Sequence, residues 1–186
     1  MKTAFHRALR SRPLGRFAKN RAGVAAVEFA LILPVMLTLY LGGIQISDAL
    51  SISRKVTHVT SSLGDLITQS KNVTDADMKN ILDAASSVMA PYSATTLKMK
   101  ISGITIDSKQ TATVTWSDAR NDTPLTKGAT VTLPAGINQA STFIVTAEVH
   151  YAYTPLIGYA LTGTFDLNDH FYLRPRLSDT VTRSVK

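Results

Sequence analysis

Residues 24–46 read VAAVEFALILPVMLTLYLGGIQI and decide the fold, because this run of 23 residues holds a single charged side chain, Glu28. At ~1.5 Å per residue a helix of this length covers ~34 Å, whereas the hydrocarbon core of a bilayer is ~30 Å thick. A secretory signal peptide has an apolar region of only ~7–15 residues, followed by a small-residue cleavage site. This run is longer, and no Ala-x-Ala site follows Ile46. The stretch therefore predicts a transmembrane helix.

The charges around this helix predict its orientation. The formal net charge is +7, but residues 24–186 contain thirteen basic and thirteen acidic side chains. The whole excess lies in residues 1–23, which contain seven basic residues and no acid. The positive-inside rule then places the N-terminus in the cytoplasm and the chain after about residue 50 across the membrane. A nucleic-acid-binding domain would spread basic residues over a folded face, so we expect no nucleic-acid partner.

The junction between the basic segment and the apolar helix is the candidate functional site. Gly23 ends the basic segment, and Glu28 follows five residues later. An ionised carboxylate in hydrocarbon costs several kcal/mol unless it is paired. One interpretation places Glu28 at the headgroup level, balanced by the helix N-terminus. In the other, a cut between Gly23 and Val24 creates an α-ammonium that pairs with Glu28 of its own chain or a neighbour.

The residues of this junction resemble a known processing site. Gly23, four small or apolar residues and then Glu28-Phe29 resemble the prepilin-peptidase site of type IV pilin-like proteins. The continuation AVEFALILPVML and the residues GDLITQ at 64–69 resemble the TadE/TadG-like family of tight-adherence (Tad) pilus systems. The C-terminal half also contains runs similar to those of short family members: VTWSDA at 114–119, EVHYAYTP at 148–155 and RPR at 174–176.

The resemblance implies a minor pseudopilin in the bacterial inner membrane, with a periplasmic C-terminal domain. It also implies maturation after Gly23 by a membrane aspartyl prepilin peptidase, which with the assembly machinery would recognise Glu28 and Phe29. The implied partners are this peptidase, other pilins or pseudopilins, and Tad inner-membrane assembly proteins. Tad prepilins usually carry Tyr after the Glu, where this chain has Phe29. An uncleaved, single-span, membrane-anchored binding domain is therefore the alternative.

The sequence divides into a leader (1–23), a transmembrane helix (24–46), an amphipathic helix (47–70) and an α+β domain (71–186). The amphipathic segment has apolar residues at steps of three and four, namely Ile52, Val56, Val59, Leu63 and Leu66/Ile67. Gly64 predicts a bend or an end of this helix. A second helix is predicted from Thr74 as N-cap, with Asp75 and Asp77 in its first turn and Pro91 as its stop. Its apolar stripe comprises Met78, Ile81, Leu82, Ala85, Val88 and Met89.

Alternating apolar residues predict strands in the remaining chain. The first contains Leu97 to Ile106 with a bulge at Ser102-Gly103, where the alternation changes phase. In the second, Ala112, Val114 and Trp116 are expected to face one way, and a loop follows over about 117–141. The longest strand runs from Phe143 to Tyr153, with Tyr151 and Tyr153 in the core, and a last one begins at Phe171. The prediction is a pilin-like α+β fold, with the second helix packed on an antiparallel sheet of about four strands.

No enzymatic chemistry is predicted. The chain has no cysteine, its histidines lack HExxH spacing, and neither a Gly-x-Ser-x-Gly elbow nor a phosphate-binding glycine loop occurs. We therefore expect no catalytic residue, metal, cofactor or small-molecule substrate. Glu148 and His150 share the outer face of one strand, where a solvated surface is favoured over a metal site. For Arg174 and Arg176, ion pairs within the domain are favoured over a partner site.

Overall fold

The computed structural model describes residues 21–155 and 163–184, so the predicted leader up to residue 20 lies outside the described residues. Within these described residues, two helices and seven strands follow one another. In chain order they are α1 (Arg21–Thr68), β1 (Asn72–Thr74), α2 (Asp75–Ser87), β2 (Leu97–Ile106), β3 (Ala112–Arg120), β4 (Thr130–Val131), β5 (Thr142–Tyr153), β6 (Phe165–Leu173) and β7 (Thr182–Ser184).

The domain is a curled antiparallel sheet with both helices packed on one face. The sheet has five strands in the order β4-β3-β2-β5-β6, and β1 and β7 form a separate parallel pair. The predicted α+β class is therefore confirmed, with one strand more in the sheet than expected. The short strands β1, β4 and β7 were not predicted, and β6 begins at Phe165 instead of Phe171.

The first helix has two halves with different surroundings. Its most apolar 18-residue window is not buried against any other part of the protein, and within the described residues this is the one helix long and apolar enough to cross a membrane. The second half packs against β5 and β6. It contributes five of its predicted apolar residues to the core, namely Ile52, Val56, Val59, Leu63 and Ile67.

Gly64 does not end this helix, because α1 continues four residues further to Thr68. A Cβ at Gly64 would overlap the side chain of Leu173 in β6 and would touch that of Ala147 in β5. Gly64 therefore serves the packing of the helix on the sheet, where a side chain would prevent close approach.

The second helix begins with the predicted cap. The Thr74 hydroxyl accepts a hydrogen bond from the Asp77 backbone N–H at 3.3 Å, and the Asp77 carboxylate accepts one from the Thr74 N–H at 3.0 Å. This reciprocal capping box satisfies two backbone donors that the first turn leaves free. The helix ends at Ser87, four residues before Pro91, yet Met89 in the following turn is still buried in the core.

The structure has a bulge at the predicted level of the sheet, but the extra residue lies in β3 and not in β2. Pairing of β2 with β5 runs without a break from Leu97↔Tyr151 to Ile106↔Thr142, so β2 has no extra residue. Against β3, however, Gly103 pairs with Trp116 and Ile104 pairs with Val114. Thr115 is therefore the extra residue, and the bulge belongs to β3.

This bulge overturns the prediction that Ala112 and Trp116 face the same way. Trp116 lies in the main core beneath the helices, whereas Ala112 joins a second cluster with Ile104, Ile106 and Ile144. Ile144 alternates along β5 with core residues, so the second cluster occupies the opposite face of the sheet. The phase change in β2 reflects the second cluster and not a bulge in that strand, because its last two isoleucines are buried on that opposite face.

Candidate functional site

The predicted cleavage position lies in the first turn of α1, which begins at Arg21. Gly23 is in open space, with no atom within 4 Å of the point that a Cβ would occupy. Val24 is 58% exposed and Phe29 is 62% exposed. The first backbone N–H groups of a helix have no partner within it, and helix ends fray. Gly23 and Val24 are therefore not covered by any other described part of the protein.

Glu28 is the eighth residue of α1 counted from Arg21, further from the helix start than the sequence suggested. The helix dipole acts mainly on charges in the first turn, so it offers little compensation at this depth. Among the described residues, Glu28 has neither a hydrogen-bond nor an ion-pair partner. Residues four apart lie on one face of a helix with Cβ atoms ~5–6 Å apart. An α-ammonium on Val24 would therefore lie on the same face as the Glu28 carboxylate.

A comparison with known protein families shows which family the segment around the junction resembles. Residues 23–62 match the family model of TadE-like proteins, and the match begins at Gly23. Residues 23–62 are therefore a TadE-like segment. No curated protein and no solved structure matches the chain. The matched part of the chain contains the junction, the whole exposed half of α1 and the beginning of the half that packs on the sheet.

Family and fold together define the protein's general role. The TadE-like segment associates the protein with the Tad pilus, and TadE-like proteins are generally not enzymes. Its single long apolar helix, located near the N-terminus of the described chain, indicates single-pass membrane anchoring.

The charged side chains on the outer face of the sheet form ion pairs within the domain. The Lys100 ammonium lies 2.9 Å from the Glu148 carboxylate, and His150 Nδ1 lies 3.2 Å from Asp166 Oδ2. Burial lowers the pKa of Lys100, but the hydrogen bond and charge of Glu148, helped by Asp122, outweigh burial and raise the pKa overall. Across residues 21–155 and 163–184, no three metal-ligating side chains converge on one point. Glu148 and His150 therefore pair with side chains of the neighbouring strands β2 and β6.

The two arginines of the RPR run differ in their contacts. Arg176 forms the predicted ion pair, with its guanidinium 2.6 Å from Asp65 at the end of α1, and its backbone N–H donates to Thr68 O at 2.9 Å. Arg174 donates a hydrogen bond to the neutral side chain of Gln139. The ion-pair prediction is therefore confirmed for Arg176 and wrong for Arg174.

Arg183 is an organising residue that the sequence did not reveal. Its guanidinium donates to both carboxylate oxygens of Asp118 at 2.9 and 3.0 Å, and to Asp75 at 2.6 Å. The hydrogen bonds that Arg183 donates to Asp118 raise the arginine pKa most, so the charge is permanent. Arg183 thereby connects β7 to β3 and to the start of α2. In the sequence, Arg183 is a single arginine among threonine and serine residues, and this local pattern does not predict such a role.

A cleft of about 480 Å³ opens beside this arginine. Trp116, Phe143 and Val181 form its apolar part, and threonine hydroxyls line much of the remainder. The Trp116 indole N–H donates to Val181 O at 2.8 Å, which fixes the ring against the C-terminal segment. Residues from four separate strands, β2, β3, β5 and β7, meet here, so no sequence pattern could have predicted the cleft.

Proposed function

We propose that the protein is a minor pseudopilin that takes part in assembly of a Tad-type pilus and is matured by a prepilin peptidase between Gly23 and Val24. The observation that supports this proposal is the family match beginning at Gly23, where a basic leader meets an apolar helix containing Glu28. The protein would reside in the bacterial inner membrane with its N-terminus in the cytoplasm and its domain in the periplasm. Its partners would be the peptidase, other pilins or pseudopilins and Tad assembly proteins.

The proposed cut changes the electrostatics of the junction. Hydrolysis of the bond after Gly23 removes the seven basic residues and leaves an α-ammonium on Val24. That charge lies one turn from Glu28, and the pair neutralises both groups where unpaired charges are costly. Phe29 is exposed beside Glu28 and is available for contact with the peptidase or a neighbouring helix. The mature helix can then dock closely with apolar helices of other pilus proteins.

The continuity of α1 gives the membrane half a direct mechanical connection to the domain. The helix runs unbroken from Arg21 to Thr68, and its second half is fixed on β5 and β6. Movement of the membrane half during assembly would therefore move the domain as well. A flexible linker at this point would lack that property.

The test is complementation of a strain that lacks the gene. Wild-type protein, Gly23→Leu and Gly136→Leu are expressed in turn, and pili, membrane insertion and the mature N-terminus are scored. Gly23→Leu should insert normally, remain uncut and give no pili. Gly136, like Gly23, has open space around its Cβ position, so Gly136→Leu should behave as wild type. Normal pili from an uncut Gly23→Leu protein would contradict the proposal.

The cleft beside Trp116 is the observation that favours the alternative, an uncleaved, membrane-anchored binding domain. Its volume of about 480 Å³ lies in the range of small-molecule and peptide sites. For such a protein α1 would be only a tether. Normal pili in the deletion strain, together with a native protein that starts at Met1, would support this alternative.

A further inference from the structure

Two exposed apolar side chains adjoin the membrane-spanning half of α1 at one end of the domain. Leu50 on α1 is 55% exposed, and Phe165 at the start of β6 is 39% exposed. We call these two residues the membrane-side patch. Ile46, the last residue of the apolar run, is 53% exposed and precedes Leu50 by one helical turn.

The direction of β6 along α1 gives the position of Phe165. The Thr57 hydroxyl of α1 donates to the Asp169 carboxylate of β6 at 2.6 Å, and further along both elements Gly64 lies against Leu173. The strand and the helix therefore run in the same direction. Phe165 precedes Asp169 by four strand residues, a distance of ~13 Å along the strand. The same distance along α1 corresponds to about nine residues before Thr57. Phe165 therefore lies level with about residue 48 of α1.

The surroundings of Tyr153 support the same position for Phe165 along α1. Tyr153 pairs directly with Phe165 across the two strands. Burial raises the pKa of the Tyr153 phenol, and the negative charge of Asp48 adds to that shift, so Tyr153 lies near Asp48. Both strand ends therefore meet α1 just beyond the apolar run.

The bilayer geometry then gives the depth of the patch. If the hydrocarbon core ends near Ile46, Leu50 lies ~6 Å beyond it, because each helix residue rises ~1.5 Å. The headgroup region occupies roughly 5–7 Å on each side of the core, so Leu50 and Phe165 fall within it.

We propose that the membrane-side patch of Leu50 and Phe165 inserts into the lipid headgroup layer of the bilayer that holds α1, so that the domain lies on the membrane surface. The proposal rests on single-pass anchoring and not on the pilus role. Continuity with the spanning half of the same helix favours lipid over a protein partner, because Leu50 follows the spanning run on one rigid element.

The absence of cysteine from the chain permits a clean test with single-cysteine variants. Full-length protein carrying Phe165→Cys or Leu50→Cys is labelled with a nitroxide and placed in nanodiscs at one chain per disc. Accessibility of the label to oxygen, which partitions into lipid, is compared with accessibility to a water-soluble nickel complex. The control is Leu177→Cys, since Leu177 is 58% exposed and its neighbour Arg176 bonds to Thr68 O. Thr68 is ~27 Å further along α1 than Leu50.

Labels at 50 and 165 should be several-fold less accessible to the nickel complex than the label at 177, and more accessible to oxygen. Equal nickel accessibility at 165 and 177 would overturn the proposal. Protection that appears only when discs hold two chains would also overturn it, because the covering surface would then be a second copy. Unchanged Trp116 fluorescence verifies that each labelled variant is folded.

Discussion

Glu28 is the residue on which the junction depends. It carries the one charge of the apolar run, and no described residue pairs with it. We expect Glu28→Gln to be cut normally and to fail in pilus assembly, because removal of the carboxylate leaves the Val24 α-ammonium unpaired in a low-dielectric surrounding. Pilus counts and the mature N-terminus are measured in a strain carrying only this copy. The matched control is Glu148→Gln, which changes the chain's other glutamate on the domain surface and should assemble. Normal pili from cut Glu28→Gln protein would remove the assembly role of the carboxylate.

Arg183 holds the C-terminal strand to the domain. Replacement by alanine leaves Asp118 without its bidentate partner and should lower the free energy of unfolding by about 2–3 kcal/mol, as for a lost charged hydrogen-bond network. Urea unfolding of the full chain in detergent, followed by Trp116 fluorescence, measures the change. Arg174→Ala should cost far less, because Arg174 is exposed and its one hydrogen bond is to Gln139. Equal losses of unfolding free energy in Arg183→Ala and Arg174→Ala would contradict the structural role assigned to Arg183.

Gly64 governs the contact between α1 and the sheet. Gly64→Ala would place a methyl group against Leu173, and overpacking of this kind costs ~1–3 kcal/mol. Because the cost comes from one contact, Leu173→Ala should recover part of it in the double variant. Thermal unfolding of the two single variants and the double variant gives the coupling energy. A double variant as unstable as the sum of the singles would mean that the glycine acts in some other way.

The capping box of α2 should make stability depend on pH on the acid side. The hydrogen bond from the Thr74 hydroxyl, followed by that from the Thr74 backbone, lowers the pKa of Asp77 below its ordinary value of 3.8. The carboxylate therefore stabilises the fold above that value, and this stabilisation is lost as pH falls through the lowered pKa. Thr74→Ala should cost ~1 kcal/mol at neutral pH and reduce the loss of stability below pH ~4. Thr74→Ser keeps the hydroxyl and should retain both properties. An unchanged acid limb in Thr74→Ala would contradict the role of the cap.

Elements with local signals could be predicted from the sequence, and elements defined by distant contacts could not. The capping box and the apolar stripe of α2 depend on residues within one or two turns, so the pattern sufficed. In the first half of β6, Phe165 and Leu167 alternate with polar residues only until Asp169 interrupts the pattern, and pairing with β5 makes the segment a strand. The bulge at Thr115 depends on three strands together. The junction at Gly23 is likewise a local pattern and stays a prediction, whereas the roles of Arg183 and the cleft depend on contacts between distant residues.

At the scale of the whole molecule, one helix forms both the candidate membrane span and part of the domain core. Its exposed half matches a membrane span, and its buried half forms the centre of the domain core. Most of the matched family segment is this helix, so the feature shared with TadE-like proteins is the anchor together with the first surface on which the sheet packs. The remaining domain surface, including the cleft beside Trp116, lies outside the match.

The decisive measurement is the intact mass and N-terminal sequence of the protein isolated from native membranes that contain the prepilin peptidase. We predict a chain that begins at Val24, and accumulation of the full-length chain when the peptidase is inactivated. A native chain that begins at Met1, unchanged by loss of the peptidase, would contradict processing at Gly23 and leave an anchored domain.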